Sequence, residues 1–132
     1  LVEPYQAFVE VDTALLRPTG LTQGQFDVIA TLGNTEGFAM RELSAKTLIA
    51  KGTLTGVVDR LEKKGLVTRA TNPEDRRSFL VALTAEGEEL FQRVFPEHLE
   101  RLGALFVGVD DARLDALRED LVALREEMIR EA

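Results

Sequence analysis

The sequence predicts a mainly α-helical domain that carries one small β-hairpin. Apolar residues recur at spacings of three and four along most of the 132 residues, which is the period of amphipathic helices. The period changes between residues 66 and 83, where two short β-branched and apolar runs flank a polar segment. With 45% hydrophobic and 30% charged residues, the sequence fits a single compact domain over residues 1–132.

Two helices are predicted in the first quarter of the chain. Residues 1–16 form an amphipathic helix that ends before Pro18. Thr22 and Gln25 lie three positions apart and can satisfy each other's free backbone N–H groups as a capping box. The second helix therefore starts after Thr22, and it ends at Gly33.

Two more helices precede the hairpin. The third is short and covers residues 40–46, and the fourth covers residues 52–64. Gly65 suits the left-handed position that ends a helix. The apolar face of the fourth helix consists of Leu54, Val57, Val58 and Leu61.

The hairpin joins strands at residues 66–70 and 79–83 through a tip that contains an Asn-Pro turn and several charges. The helical period returns at Thr84. A last helix begins after Asp110 and Asp111, because acidic residues stabilise the positive start of a helix.

Charge is distributed unevenly along the chain. The formal net charge is −7, yet residues 41–77 hold nine Lys and Arg against five acidic residues, a net +4. The rest of the chain therefore carries −11. Such segregation favours one surface that binds a polyanion, and the alternative is a solvated charged helix.

A short turn between two helices, followed by a charged hairpin, is typical of a winged helix-turn-helix. A helix fits the major groove of DNA, and an arginine suits the narrow minor groove. The residues placed for these contacts are Lys51, Thr53, Thr55, Arg60, Arg76 and Arg77. The alternative is that the threonines only solvate the helix start and that the hairpin arginines only pair with Glu74 and Asp75.

Three segments resemble the MarR (multiple-antibiotic-resistance regulator) family of winged-helix transcription factors. They are LTGVVDRLEKKGLV at 54–67, NPEDRR at 72–77 and LTAEG at 83–87, and the resemblance spans residues 20–90. It implies a recognition helix over 52–64 and a wing over 67–83. It also implies that Asp75 steadies the wing and that Arg77 enters the minor groove.

The resemblance further implies a homodimer whose terminal helices intertwine. Residues 20–90 then form the DNA-binding part, and residues 1–17 and 91–132 form the helical dimerisation part. The last helix supports this independently, since its apolar residues have the spacing of a coiled-coil seam. These residues are Leu114, Leu117, Leu121, Leu124 and Met128. The alternative is that the seam packs on the first helix of its own chain.

Gly52 and Gly56 depart from the family pattern, in which Ser and Arg or another long polar residue are more usual. Each glycine inside a helix costs about 1 kcal/mol relative to alanine. Either the bare backbone allows close approach to DNA, or base recognition is poorer here. Both positions are retained as part of the predicted DNA-binding surface.

Many members of the family bind small aromatic or phenolic anions between the two parts, which releases DNA. The candidate lining in this sequence is Tyr5, Phe8, Phe91, Phe95 and His98. The alternative is an aromatic core in which His98 is a hydrogen-bonded structural residue.

Several functions are excluded or poorly supported. The absence of cysteine excludes disulfides, zinc fingers and thiol catalysis. A single histidine and the lack of a glycine-rich phosphate loop argue against an enzyme, and we expect no cofactor and no metal. No apolar run approaches membrane-spanning length, so we expect a cytoplasmic protein without a membrane partner.

The sequence therefore predicts a repressor that binds double-stranded DNA as a homodimer on a palindromic operator and is released by a small aromatic ligand. The alternative is a winged helix that binds a protein partner and makes no direct contact with DNA.

Overall fold

The computed structural model describes residues 1–132 and confirms the predicted fold class. The helices are α1 (Val2–Leu16), α2 (Gln23–Leu32), α3 (Met40–Thr47), α4 (Lys51–Lys63), α5 (Ala85–Ala104) and α6 (Asp111–Glu131). The strands are β1 (Phe38–Ala39), β2 (Val67–Thr71) and β3 (Phe79–Leu83), and a 3-10 helix, Arg17–Thr19, follows α1.

The chain divides into two compact units, Leu1–Leu99 and Glu100–Ala132. The first unit contains α1 to α4, the sheet and most of α5, and the second contains the end of α5 and all of α6. None of the six α-helices combines the length and the apolarity that a membrane crossing requires.

The hydrophobic core of the first unit holds α3 and α4 in place. Leu32 of α2, Leu43 of α3 and Leu54 of α4 are all fully buried. Leu48, between α3 and α4, has a φ of 59°, in the left-handed region, and it turns the chain from one helix into the next. This turn and its two helices form the predicted helix-turn-helix.

The helix starts follow the predicted capping residues. Thr22 Oγ1 accepts a hydrogen bond from the Gln25 backbone N–H at 3.2 Å, and Gln25 Oε1 accepts one from the Thr22 N–H at 3.2 Å. The capping box is thus confirmed. Asp110 Oδ1 accepts a bond from the Arg113 N–H at 2.9 Å, and α6 begins at the next residue, as the acidic pair predicts.

Three antiparallel strands form the sheet in the order β1-β3-β2. β2 and β3 are the predicted hairpin, in a register that places Val67 opposite Leu83. β1 pairs with the other edge of β3 and was not predicted. Gly37, just before β1, has a φ of 110°, and a Cβ there would lie 2.5 Å from the Val81 carbonyl oxygen. This close approach requires glycine.

A junction of four residues joins the end of α4, both ends of the hairpin and the start of α5. Gly65 ends the α4 turn with a φ of 74°. Thr84 Oγ1 donates to the Gly65 carbonyl at 2.6 Å, and the Thr84 N–H donates to the Leu66 carbonyl at 3.0 Å. The Gly87 N–H then donates to Thr84 Oγ1 at 3.0 Å, and a Cβ at Gly87 would collide with the Leu66 carbonyl.

Candidate DNA interface

The outer face of α4 is polar and basic because its apolar residues all turn inward. The buried residues of α4 are Leu54, Val57, Val58 and Leu61. The exposed candidates on the same helix are Lys51, Gly52, Thr53, Thr55 and Arg60, and Gly56 is partly exposed. Thr55 Oγ1 donates to the Lys51 carbonyl at 3.0 Å, whereas Thr53 makes no side-chain hydrogen bond.

Four of the predicted basic contacts are free of acidic partners. Lys51, Arg60, Arg76 and Arg77 are exposed, and none of them forms an ion pair within 4.0 Å. The side chains of Arg76 and Arg77 therefore do not pair with the acids next to them on the hairpin tip. Their charges face solvent.

Side-chain hydrogen bonds order the tip between β2 and β3. Asp75 Oδ1 accepts from the Arg77 backbone N–H at 3.0 Å, and Asn72 Oδ1 accepts from the Glu74 N–H at 3.1 Å. The Asn72 N–H donates to the Ser78 carbonyl at 3.1 Å. The backbone that carries the two arginines is thus fixed, while their side chains stay free.

Arg69 is counted in the basic segment, but the structure shows that it adds no free charge. Its Nη1 lies 2.7 Å from Asp59 Oδ1, and its Nε lies 2.7 Å from Glu62 Oε2. The hydrogen bond to Glu62 raises the pKa of Arg69 above its ordinary value. Because Arg69 lies on β2 and both acids lie on α4, these bonds fix the hairpin against the helix.

Two lysines of the basic segment are also engaged within the fold. Lys64 Nζ donates to the Gly20 carbonyl and to Gln25 Oε1, both at 3.3 Å. Lys46 Nζ lies 4.8 Å from the centre of the Phe38 ring. The surface available to a polyanion is therefore smaller than the nine bases of the segment suggested.

The two glycines of α4 have room for a side chain. A Cβ at Gly52 would meet nothing within 4 Å, and one at Gly56 would meet only Arg60 Nη1 at 3.9 Å. Neither glycine has a positive φ. Packing and backbone conformation within the chain thus do not explain either residue.

The five residues predicted to line a ligand pocket differ in their burial. Phe91 and Phe95 stack with ring centres 4.9 Å apart, and His98 is buried with them around Phe26. Tyr5 and Phe8, by contrast, are 66% and 38% exposed on α1. His98 Nε2 lies 2.7 Å from Asp12 Oδ1, a hydrogen bond of the kind that the alternative interpretation expects.

The predicted seam of α6 is largely exposed in the single chain. Leu117, Leu121, Leu124 and Met128 are each 40% exposed or more, and Leu114 is partly buried. Leu114, Leu117, Leu121 and Val122 line an apolar groove on this helix. The groove lies within the second unit.

The second of the two packed helices, α4, presents basic side chains outward, and the hairpin that follows has a basic tip. This arrangement defines a winged-helix DNA-binding protein. The model of the MarR family matches residues 21–79. The chain is 32% identical over 116 residues to YsmB, an uncharacterized HTH-type transcriptional regulator of Bacillus subtilis (strain 168), covering 88% of this chain and 80% of YsmB. The chain belongs to the MarR family.

Solved structures agree with this assignment. Sco3205, a MarR family transcriptional regulator from Streptomyces coelicolor solved in complex with DNA, matches with a TM-score of 0.87 at 26% identity, over 96% of this chain and 82% of Sco3205. CouR from Rhodococcus jostii RHA1, solved with p-coumaroyl-CoA bound, matches with a TM-score of 0.78 at 27% identity, over 94% of this chain and 88% of CouR. The chain is a DNA-binding transcriptional regulator.

Proposed function

We propose that this regulator is a repressor that binds a palindromic operator as a homodimer, through α4 in the major groove and the hairpin tip in the minor groove. One observation carries the proposal. Four exposed bases on α4 and the hairpin tip lack acidic partners, in a chain whose net charge is −7. The protein then acts by binding and not as an enzyme, and its place of action is the cytoplasm.

The outer face of α4 suits the major groove. Lys51 and Thr53 lie in its first turn, where backbone N–H groups are free to meet phosphate oxygens. Thr55 and Arg60 continue the exposed face and can reach base edges. The related regulator Sco3205 was solved with DNA, which supports this use of the fold.

The hairpin tip suits the minor groove. Its backbone is held by Asp75, so Arg76 and Arg77 project from an ordered turn. Arginine inserted into a narrow minor groove meets an enhanced negative potential. Arg69 keeps β2 bonded to α4, so a DNA contact by the tip is fixed relative to a contact by the helix.

A homodimer would cover the exposed face of α6 and supply a second recognition helix. The face repeats at three and four residues, and a symmetric copy is the partner that such a seam suits. Two recognition helices on one face of DNA contact half-sites about 34–36 Å apart. The operator is therefore expected to be a palindrome, and a dimer bound across a promoter blocks transcription.

The salt dependence of DNA binding tests this proposal. Duplexes selected by the protein from random DNA are titrated at several salt concentrations. Each phosphate neutralised contributes about −0.9 to the slope of log affinity against log salt, so a dimer with several contacts gives a steep line. A flat line would contradict the proposal and favour a winged helix that binds a protein partner.

Release by a small aromatic ligand is the second part of the proposal. CouR, which this chain resembles in fold and sequence, was solved with p-coumaroyl-CoA bound, and this supports the second part. We expect DNA affinity to fall in the same titration when an aromatic acid or its thioester is added. Affinity that stays constant across a panel of such compounds contradicts this part.

A further inference from the structure

A buried polar cluster joins three helices of the first unit. His98 Nε2 on α5 lies 2.7 Å from Asp12 Oδ1 on α1, and Gln23 Nε2 on α2 donates to Asp12 Oδ2 at 2.8 Å. Asp12 and His98 are each only 4% exposed. Burying a carboxylate is costly unless it is hydrogen-bonded, and here both oxygens of Asp12 have a partner.

The geometry fixes how the cluster is bonded. Both carboxylate oxygens of Asp12 accept a hydrogen bond, one from Gln23 and one from His98. The hydrogen on His98 is therefore assigned to Nε2. The imidazole also packs 4.4 Å from the centre of the Phe26 ring, which restricts its rotation. The bond between Asp12 and His98 thus has a single direction.

The three helices differ in their relation to DNA recognition. α2 packs directly against α3 and α4 and so supports the recognition helix. α1 and α5 flank the winged helix along the chain, and α1 and most of α5 belong to the predicted dimerisation part. The Asp12–His98 pair lies where α1 and α5 meet α2.

We propose that Asp12 and His98 are positioning residues for DNA binding. Their bond fixes α1 and α5 against α2 and thereby sets the separation of the two recognition helices in the dimer. This rests on the proposed function, because a separation exists only in a homodimer on a palindrome. The pair contacts no DNA and acts through the placement of α4.

The test compares operators that differ only in half-site spacing. The palindrome selected by the wild-type protein is prepared with its native spacing and with one base pair added or removed, a change of roughly 3.4 Å along the helix axis. Affinity for each duplex, and for a single half-site, is measured by titration. The spacing ratio is the affinity for the native spacing divided by the affinity for the altered spacing. It is the quantity that the Asp12–His98 pair controls.

The main variant replaces both partners with apolar residues, Asp12→Leu with His98→Phe. Replacing a buried polar pair by apolar residues of similar volume is often neutral or stabilising, so the variant is expected to fold. We expect the spacing ratio to fall about tenfold, a coupling of ordinary size, with half-site affinity unchanged. If the double variant does not fold, His98→Leu, which removes the donor to Asp12, serves as the second variant, and the same fall in the spacing ratio is expected.

Two further variants separate the bond from the charge. In Asp12→Asn the amide oxygen can still accept from His98, and a rotated Gln23 amide can still bond to it, so we expect the wild-type ratio to within about twofold. Asp27 is half-buried on α2, and burial raises its pKa, with the Asp12 carboxylate adding to the rise. It makes no side-chain hydrogen bond, so Asp27→Asn is the matched control and should also keep the ratio.

The outcomes are distinguishable. A folded double variant that keeps the wild-type spacing ratio overturns the inference, and so does an Asp27→Asn variant that loses the ratio. If the Asp12–His98 pair only stabilised the fold, its loss would lower the affinity for all duplexes by the same factor and would leave the spacing ratio unchanged. If the wild-type protein itself shows no preference for any spacing, the proposed function fails instead.

Discussion

Arg77 shows how one residue can have a fixed backbone and a free side chain. Its N–H is held by Asp75, and its guanidinium has no ion pair. Arg77→Ala should therefore weaken binding to the selected operator by about 1–3 kcal/mol, the usual effect of losing an arginine contact to DNA. The thermal unfolding midpoint should stay within about two degrees, because a surface substitution changes stability by no more than about 0.5 kcal/mol.

The matched control for Arg77 is Arg93→Ala. Arg93 is exposed on α5, has no ion pair, and lies outside the basic segment. It should leave operator affinity unchanged. Loss of the folded state in Arg77→Ala, seen by thermal melting, would instead assign Arg77 a structural role in the hairpin.

The partners of His98 and Arg69 could not be predicted from the sequence. Composition and spacing identify His98 as buried or ligand-binding, but its partner Asp12 lies 86 positions away, and no local pattern links the two. Arg69 reads as a free base in the sequence, yet its strand places it between Asp59 and Glu62. Both facts depend on tertiary placement, which a linear charge count does not contain.

For one glycine inside α4 and one just after its end, substitution by alanine should have opposite effects on stability. Gly56 has helical backbone and open space, so Gly56→Ala should raise the free energy of unfolding by about 1 kcal/mol. Gly65 has a φ of 74°, so Gly65→Ala should lower it by roughly 1–2 kcal/mol. Urea denaturation of the two variants measures both changes.

DNA titration of Gly56→Ala then decides between the two interpretations of the bare backbone. A stabler protein with weaker operator binding means that DNA approaches the helix at this position. Unchanged affinity means that DNA binding does not require the bare backbone at this position, which favours the interpretation that base recognition is poorer here. Equal destabilisation by both alanines would contradict the backbone argument.

At the scale of elements, period and capping residues were sufficient for most boundaries. α4 begins one residue earlier than predicted, and the hairpin strands agree to within one residue. β1 escaped prediction because two residues cannot display a period, and its pairing partner lies more than forty positions away. Its place is set by the close approach at Gly37, which requires the folded sheet.

For the whole molecule, the exposed face of α6 predicts the assembly state. Leu117→Asp with Leu121→Asp places two carboxylates in the apolar seam, and burying unpaired charge is prohibitive. The double variant should sediment as a monomer and bind the operator weakly, since only one recognition helix remains. Ala123→Asp, on the same helix outside the seam, should remain a dimer.

Persistent dimers in the Leu117 and Leu121 variant would place the interface on another surface. Weak DNA binding by a variant that stays dimeric would separate assembly from recognition. Sedimentation and titration on the same samples distinguish these results.

The junction around Gly65 and Thr84 has a consequence for how DNA is released. At this junction, hydrogen bonds among four residues connect the recognition helix, the hairpin and α5. A tilt of α5 would therefore move the recognition helix and the hairpin together. A half-site would then lose its major-groove and minor-groove contacts in a single movement. Dissociation of the protein from DNA should accordingly be all-or-none at each half-site, without an intermediate in which only the hairpin has left the minor groove.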